Sequence, residues 1–211
     1  ANFCLDVLNA ANEEYEELEF IEIGSGVGYL VKAFMNLNVK KITGYESSVE
    51  QVIFANTMIP GKKNLKIEFG QLEKVLLNTK SNVVCMINVL EHLLNPNKIL
   101  EIIKSNRNIK YLFFSVPLFS LCVLFELANP NIWHRHLAGT HTHLYSYESI
   151  KYFCKKYNFE IIGEWWFGSD FFDLYRQTVL NAKTQTVNDL SSMNEELFDM
   201  IDDFQMIVDK R

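Results

Sequence analysis

The chain has 211 residues, of which 48% are hydrophobic and 22% are charged, the proportions of an ordinary globular protein. A chain of this length forms one domain with a modest extension and buries enough apolar surface to fold without disulfides or a structural metal. The 9 Gly and 4 Pro exclude collagen-like and disordered classes, and the net charge of −6 argues against a nucleic-acid-binding protein.

The cysteines indicate a reducing compartment. All four occur singly, at Cys4, Cys85, Cys122 and Cys154. Because none belongs to a C-x-x-C pair, zinc-ribbon and thioredoxin motifs are disfavoured. We therefore expect a cytoplasmic protein with free thiols.

Neither a signal peptide nor a membrane span is expected. The first residues lack a basic region followed by an apolar stretch. The uncharged run 111–125 is shorter than the roughly 20 residues of a spanning helix and contains Pro117. This run is predicted to be a buried strand that ends at Pro117, followed by an apolar loop or helix.

Strand-like and helix-like segments alternate along the chain. Strands are predicted at 18–23, 41–45, 65–69, 82–87, 111–116 and 159–166, and helices at 29–36, 49–58, 97–105 and 146–157. Such alternation is typical of βα units, so we predict an α/β fold with a mostly parallel sheet.

The end of the chain has a different pattern. Apolar residues recur at three- and four-residue steps over 190–208, which predicts an amphipathic helix. We therefore divide the chain into a domain at 1–180 and a C-terminal helical extension at 181–211. The helix packs on the sheet domain, pairs with a second copy in a homodimer, or forms a lid; the sequence leaves these alternatives open.

A glycine turn follows the first predicted strand. The segment Gly24–Gly28 (GSGVG) precedes a helix, so backbone N–H groups there can approach a ligand closely. Tyr29 stands where the dinucleotide fingerprint has its third small residue, and no Lys-Ser or Lys-Thr pair follows, which disfavours nicotinamide, flavin and Walker-type sites. Glu22, two residues before the first glycine, would face an ammonium group better than a phosphate.

An acid also ends the second predicted strand. Glu46 lies 22 residues beyond Gly24. A carboxylate at this point can accept hydrogen bonds from both hydroxyls of a ribose. Together the turn and Glu46 predict a site for a nucleoside without a 2′-phosphate.

With these residues the chain resembles the class I S-adenosylmethionine-dependent methyltransferases, most nearly the small-molecule, ubiquinone-type O-methyltransferase branch. The resemblance covers about residues 20–166 and includes the motif 22–28 (EIGSGVG), the acid Glu46 and the segment 88–96 (NVLEHLLNP). It implies a Rossmann-like sheet of seven strands, the last antiparallel, with helices on both faces. It also implies a set of residues that bind S-adenosylmethionine: Glu22, Gly24, Ser25, Gly26, Gly28, Glu46, Ser47, Gln71, Leu72, Asn88 and Val89.

The chain departs from the family at two positions. Gln71 replaces the acid that usually reads the adenine amino group, although its carbonyl can still accept from that amine and Leu72 can pack on the ring. Asn88 replaces the first of two acids that bind a metal in some relatives. Glu91 and His92 alone are a poor Mg²⁺ site, so no metal is expected.

Four of the five histidines cluster at 134–143. They have three interpretations: an acceptor site above the carboxyl ends of the strands, a loop held by hydrogen bonds, or a zinc site. If the acceptor is a hydroxyl, an imidazole can remove its proton near neutral pH. His143 is the first candidate for this base and His141 the second.

The sequence therefore predicts a methyltransferase that acts on a small molecule, with O-methylation favoured. The alternative from another class is a non-catalytic module that binds the nucleoside and regulates a partner through the acidic C-terminal helix.

Overall fold

The computed structural model describes residues 1–58, 65–128, 136–137 and 139–166. Within these ranges the strands are β1 (Glu19–Ile23), β2 (Lys41–Glu46), β3 (Leu65–Phe69), β4 (Val83–Ile87) and β5 (Tyr111–Ser115). The α-helices are α1 (Asn2–Ala10), α2 (Tyr29–Asn36), α3 (Val49–Met58), α4 (Leu72–Asn78), α5 (Pro96–Ser105), α6 (Leu121–Ala128) and α7 (Tyr147–Tyr157).

The strands form one sheet in the order β3-β2-β1-β4-β5, and every pair is parallel. The predicted α/β, Rossmann-like fold is confirmed. The chain builds outward from β1 to β3 and then returns to place β4 on the other side of β1. The carboxyl ends of β1 and β4 therefore flank the point where the strand order reverses, which is where open sheets of this kind bind ligands.

Helices cover both faces of the sheet, as expected. Phe20 of β1 packs against Phe34 of α2 with 5.1 Å between ring centroids, in a core that also includes Leu8 of α1. On the opposite face, the rings of Phe114 in β5 and Phe153 in α7 are 5.5 Å apart. Because β4 is central, its first four residues are almost fully buried, whereas β5, at the edge of the sheet formed by the described residues, is only half-buried.

Two helix starts follow from side-chain caps. Asn95 accepts a hydrogen bond from the backbone N–H of Lys98 at 3.1 Å, and Pro96 begins α5. Ser146 and Ser149 form a reciprocal capping box at the start of α7, where the sequence predicted a helix opened by Ser146.

The predicted sixth strand, at 159–166, is wrong, and so is the count of seven strands for the described residues, which contain five. The segment has no strand conformation, and its Gly163 packs against α1: a Cβ there would lie 2.6 Å from Cγ2 of Val7. Helix α1 was not predicted from the sequence, so its contact with Gly163 was not expected. The antiparallel last strand and the helix at 190–208 lie outside the described residues.

The chain divides into two compact units. The first comprises Ala1–Pro117 and Thr142–Glu164 and contains the whole sheet. The second comprises Leu118–His141 and Trp165–Arg211, and α6 is its described helix. Among the residues described, no helix combines the length and the apolar character that crossing a membrane requires.

Candidate functional site

The glycine turn between β1 and α2 adopts a backbone that favours glycine. Gly24, Gly26 and Gly28 have φ angles of +67°, +52° and +85°. Ordinary side chains avoid this left-handed region, which explains the triple glycine pattern. Gly28 is also the N-cap of α2, so the turn leads directly to a helix N-terminus.

Close packing fixes the turn on the strands beside it. A Cβ on Gly24 would lie 2.7 Å from Cγ2 of Val89, which follows β4. A Cβ on Gly44 of β2 would lie 2.8 Å from Cβ and Oγ of Ser25. The backbone N–H groups of Gly24 and Ser25 both donate to the carbonyl of Tyr45, at 2.8 and 3.1 Å. The turn is therefore held from both neighbouring strands.

The carboxylate of Glu46 connects the end of β2 to the same turn. Its Oε2 accepts from the N–H of Gly26 at 2.9 Å, and its Oε1 accepts from the N–H groups of Ser47 and Ser48 at 2.7 and 3.0 Å. Burial alone would raise the pKa of this carboxyl, but the N–H groups of Ser48, Gly26 and Ser47 together hold it below its usual range. Glu46 is therefore a preorganised anion at the carboxyl edge of the sheet.

Glu22 supplies a second, buried carboxyl under the turn. It is 4% exposed, and burial raises its pKa to about 8, with the negative charge of Glu46 acting in the same direction. Among the described residues, Glu22 Oε2 and Ser25 Oγ are buried polar atoms without a hydrogen-bond partner. A buried polar atom without a partner carries a free-energy cost that a ligand's donor can remove.

The end of β3 lies beside Glu46. The N–H of Gly70 donates to the carbonyl of Glu46 at 3.2 Å. The next residue, Gln71, is the exposed N-cap of α4, and Leu72 is the first residue of that helix. Both predicted adenine contacts therefore follow the strand adjacent to Glu46.

A strained residue follows β4. Asn88 has φ +52°, which is unusual for a residue with a side chain. Ser115 at the end of β5 holds it in place: the N–H of Asn88 donates to the Ser115 carbonyl at 3.0 Å, and the Ser115 hydroxyl donates to Asn88 Oδ1 at 3.0 Å. Val89 follows directly and packs over the glycine turn.

The segment after Val89 is a short 3-10 helix, Leu90–His92, which the chain anchors from a distant segment. The N–H groups of Thr142 and His143 donate to the carbonyl of Glu91 at 2.8 and 3.2 Å. The buried hydroxyl of Tyr145 donates to the carbonyl of Leu90 at 3.3 Å. Burial raises the pKa of Tyr145 to about 12, with a contribution from the charge of Glu91, so this donor stays protonated.

This anchoring also orients His143. The Thr142 hydroxyl lies 2.8 Å from the Leu93 carbonyl and 3.0 Å from the Glu91 carbonyl, and both oxygens can only accept. The single hydroxyl hydrogen is therefore donated to a carbonyl, and Thr142 Oγ, 2.9 Å from His143 Nδ1, accepts from an Nδ1–H. In the neutral ring this tautomer leaves the lone pair of Nε2 available as a base.

The second unit contains a buried histidine–carboxylate pair. His136 Nδ1 lies 2.9 Å from Glu126 Oε1, and the two side chains are 2% and 4% exposed. The carboxylate also accepts from the N–H groups of His136 and Leu137. The carbonyl of His136 in turn lies 3.0 Å from His141 Nδ1. His136 is therefore part of the loop's internal support, which was one interpretation of the histidine cluster.

The structure brings most of the predicted donor-site residues together at the carboxyl edge of β1, β2, β3 and β4. His143 belongs to the same unit, whereas His141 belongs to the second unit. Sequence reasoning missed Thr142 and Ser115, whose contacts join distant segments, and Ser48, whose backbone N–H donates to Glu46 two residues earlier. Gly44 had a signal, because a glycine inside a strand marks a close approach of another chain segment.

Comparison with known families identifies the chain. A family model described as a methyltransferase domain matches residues 2–164. The search of curated proteins found no match.

Solved structures show the same fold at low sequence identity. The complex of the Haloferax volcanii Trm112 methyltransferase activator with a putative methyltransferase matches with TM-score 0.55 and 17% identity, over 74% of this chain and 66% of that chain. A putative methyltransferase from Bacillus halodurans matches with TM-score 0.54 and 15% identity, over 74% and 68%. A DhpI-SAM-HEP complex matches with TM-score 0.51 and 14% identity, over 74% and 77%. The chain thus spans about two thirds of the length of the first of these neighbours.

Proposed function

The chain belongs to the methyltransferase domain family and is an S-adenosylmethionine-dependent methyltransferase; from this premise we propose that it methylates a hydroxyl oxygen of a small-molecule acceptor. The observation that supports donor binding is the pair formed by the glycine turn and Glu46, joined by the 2.9 Å hydrogen bond from Gly26, whereas the hydroxyl acceptor is proposed from His143 and its contact with Thr142. When bound, S-adenosylmethionine supplies a methyl group on a positively charged sulfur.

The residues present fit this cofactor. Oε2 of Glu46 accepts from one backbone N–H only and can take a ribose hydroxyl in addition; at Oε1, which two N–H groups already occupy, the second hydroxyl would take the place of the Ser47 hydroxyl, the longest contact there. The orphaned Oε2 of Glu22 matches an ammonium group, which would satisfy the buried oxygen and favour its charged form. Gly24 and Gly26 supply the left-handed backbone of this turn, and a Cβ on Gly24 would collide with Val89 at 2.7 Å.

The remaining donor contacts follow from position. We assign Gln71 and Leu72 to the adenine, because they follow the strand next to Glu46. Ser47 adds a hydroxyl beside Glu46 Oε1, at 3.2 Å. Asn88 and Val89 are assigned to the other end of the ligand, because they line the turn from the β4 side.

For the acceptor, His143 is the proposed general base. Its Nε2 lone pair follows from the hydrogen bonds of Thr142, and an imidazole is suited to removing a hydroxyl proton near neutral pH. His141 is the second candidate; its Nδ1 lies 3.0 Å from the carbonyl of His136, which can only accept.

Composition and motifs support a small acceptor. The net charge of −6 disfavours nucleic acid, and the LEH segment at 90–92 resembles the ubiquinone-type O-methyltransferase branch. We also propose a cytoplasmic location and a C-terminal extension at 181–211 whose apolar stripe packs on the domain or joins two copies. Membership of a methyltransferase family does not favour the non-catalytic alternative.

The test is methylation of a metabolite extract with methyl-labelled S-adenosylmethionine. The wild-type protein is expected to produce a labelled small molecule, and His143→Ala to lose most of that product. Thr142→Val is a second variant, which keeps the imidazole but removes the hydroxyl that sets its tautomer. His141→Ala is the matched control. Full turnover in His143→Ala together with loss of turnover in His141→Ala would assign the general base to His141 instead. A product labelled on nitrogen or carbon would contradict O-methylation.

A further inference from the structure

A side chain outside the predicted donor set reaches the glycine turn from α3. Gln51 is an exposed residue in the first turn of that helix. A Cβ on Gly26 would lie 3.4 Å from Oε1 of Gln51. Apart from the residues next to Gly26 in the chain, no other described atom lies within 4 Å of that position. The amide of Gln51 therefore borders an otherwise open space beside the turn.

Hydrogen bonds fix Gln51 relative to Glu46. The N–H of Ser48 donates to Glu46 Oε1 at 3.0 Å, and Ser48 Oγ accepts from the N–H of Gln51 at 3.3 Å, as in a helix cap. The Ser48 hydroxyl donates its own hydrogen to Oε2 of Glu50 at 2.9 Å. The other oxygen of Glu46 accepts from the N–H of Gly26 at 2.9 Å. These contacts form a closed ring that begins and ends at Gly26.

The amide of Gln51 is available to a ligand. Within the part of the chain that the structure describes, the hydrogen bond of Gln51 to Ser48 uses its backbone N–H, and its side-chain amide makes none. Nε2 of a glutamine carries two donors and Oε1 is an acceptor. Glu46 is held as an anion and can only accept. The two side chains that approach Gly26 therefore have complementary hydrogen-bonding roles.

A ribose requires both roles. When a ribose hydroxyl donates its hydrogen to a carboxylate, the hydroxyl oxygen keeps lone pairs that a donor can satisfy. Glu46 takes the hydrogens of the hydroxyls but has no hydrogen to give. Gln51, on the same loop and beside the same turn, supplies such a donor.

We propose that Gln51 is a specificity-determining residue of the donor site, whose Nε2–H donates to a hydroxyl oxygen of the ribose of S-adenosylmethionine. The inference rests on the proposed function, because it requires the nucleoside at Glu46. An amide hydrogen bond to a hydroxyl is uncharged and is worth less than a charge-assisted contact. We expect it to contribute about three- to tenfold in affinity.

The experiment is a calorimetric titration of the wild type and Gln51→Met with S-adenosylhomocysteine and with its 2′-deoxy and 3′-deoxy analogues. Methionine keeps the length of the side chain and removes the amide. Gln51→Met should bind S-adenosylhomocysteine about three- to tenfold more weakly than the wild type does. It should bind one of the two deoxy analogues as the wild type does, because that analogue lacks the oxygen that Gln51 contacts. The control is Thr57→Val, an exposed polar residue in the last turn of α3, which should bind all three ligands as the wild type does.

Two results would overturn the inference. The first is equal affinity of the wild type and Gln51→Met for S-adenosylhomocysteine. The second is the same loss of affinity for all three ligands, because Gln51 would then contact the nucleoside or support the loop without reading the ribose.

Failure of the proposed function gives a different result. A wild-type protein that does not bind S-adenosylhomocysteine would reject the donor site as a whole, and this inference with it. Binding that is weakened by Glu46→Ala but not by Gln51→Met would reject the role of Gln51 alone.

Discussion

Substitution of Glu46 by alanine tests the site and its scaffold together. In the structure the carboxylate accepts from three backbone N–H groups, those of Gly26, Ser47 and Ser48, at 2.7–3.0 Å. These contacts join the glycine turn to the start of α3. Glu46→Ala therefore removes a ligand contact and also leaves three donors to water.

The two effects have different magnitudes. Loss of charge-assisted bonds to two ribose hydroxyls costs about 1.5–3 kcal/mol, which weakens cofactor binding roughly ten- to a hundredfold. Because Glu46 is partly exposed, water replaces much of its backbone bonding, and we expect a loss of about 1–2 kcal/mol of folding free energy, or roughly 2–8 °C in melting temperature. Replacement of an acid that makes no such backbone contacts would leave the melting temperature unchanged.

The pH dependence of folding stability is a second test of the contacts of Glu46. The pKa of Glu46 is lowered in the folded state, so its stabilisation is present above the unfolded value of about 4.3 and is lost as the pH falls through the folded value. Calorimetric titration with S-adenosylhomocysteine measures the affinity, and thermal melting from pH 3 to pH 7 measures the stability. Glu101→Ala on α5 is the control, an exposed acid away from the turn. Unchanged affinity in Glu46→Ala would remove this residue from the ribose.

Three further predictions address the turn and the extension. Since burial raises the pKa of Glu22 to about 8, the ligand-free protein should lose stability as the pH rises from about 4.3 to about 8, and binding of S-adenosylhomocysteine at pH 7 should release roughly one proton. Glu22→Gln should abolish both effects. Melting curves measure the first, and calorimetry in buffers of different ionisation enthalpy measures the proton release. Proton release that persists in Glu22→Gln would show that the proton does not come from Glu22. Gly24→Ala adds a Cβ 2.7 Å from Val89 at φ +67° and should weaken the binding of S-adenosylhomocysteine more than about tenfold. The control Gly139→Ala, with open space around the Cβ, should bind as the wild type does. Equal affinities of the two variants would show that the turn tolerates a side chain. Deletion of 188–211 should lower solubility and change cofactor affinity less than about threefold, because the predicted apolar stripe leaves the turn untouched; abolished binding in a folded truncation would place the extension in the donor site.

The sequence anticipated the part of the site that depends on local geometry. Three glycines with left-handed φ angles, an acid after β2 and alternating strands and helices are all encoded within short segments. The mostly parallel sheet followed from that alternation, whereas the order of the strands around β1 was not predicted. The glycine turn and Glu46 could therefore be paired before any coordinates were known.

The rest depends on contacts between distant residues. The anchoring of the Leu90–His92 turn by Thr142 and Tyr145 joins segments about fifty positions apart, and no periodicity encodes it. The segment 159–166 has a strand-like composition, but Gly163 packs on α1, and a pattern cannot rank two competing partners.

The central claim is that the turn at Gly24–Gly28 and Glu46 bind S-adenosylmethionine rather than a dinucleotide. Parallel calorimetric titrations with S-adenosylhomocysteine and NADH test it most directly, because both carry an adenosine ribose but only the first carries an ammonium group for Glu22. The account predicts saturable binding of S-adenosylhomocysteine, weakened in Glu22→Gln and in Glu46→Ala, and no binding of NADH. Binding of NADH without binding of S-adenosylhomocysteine would contradict it.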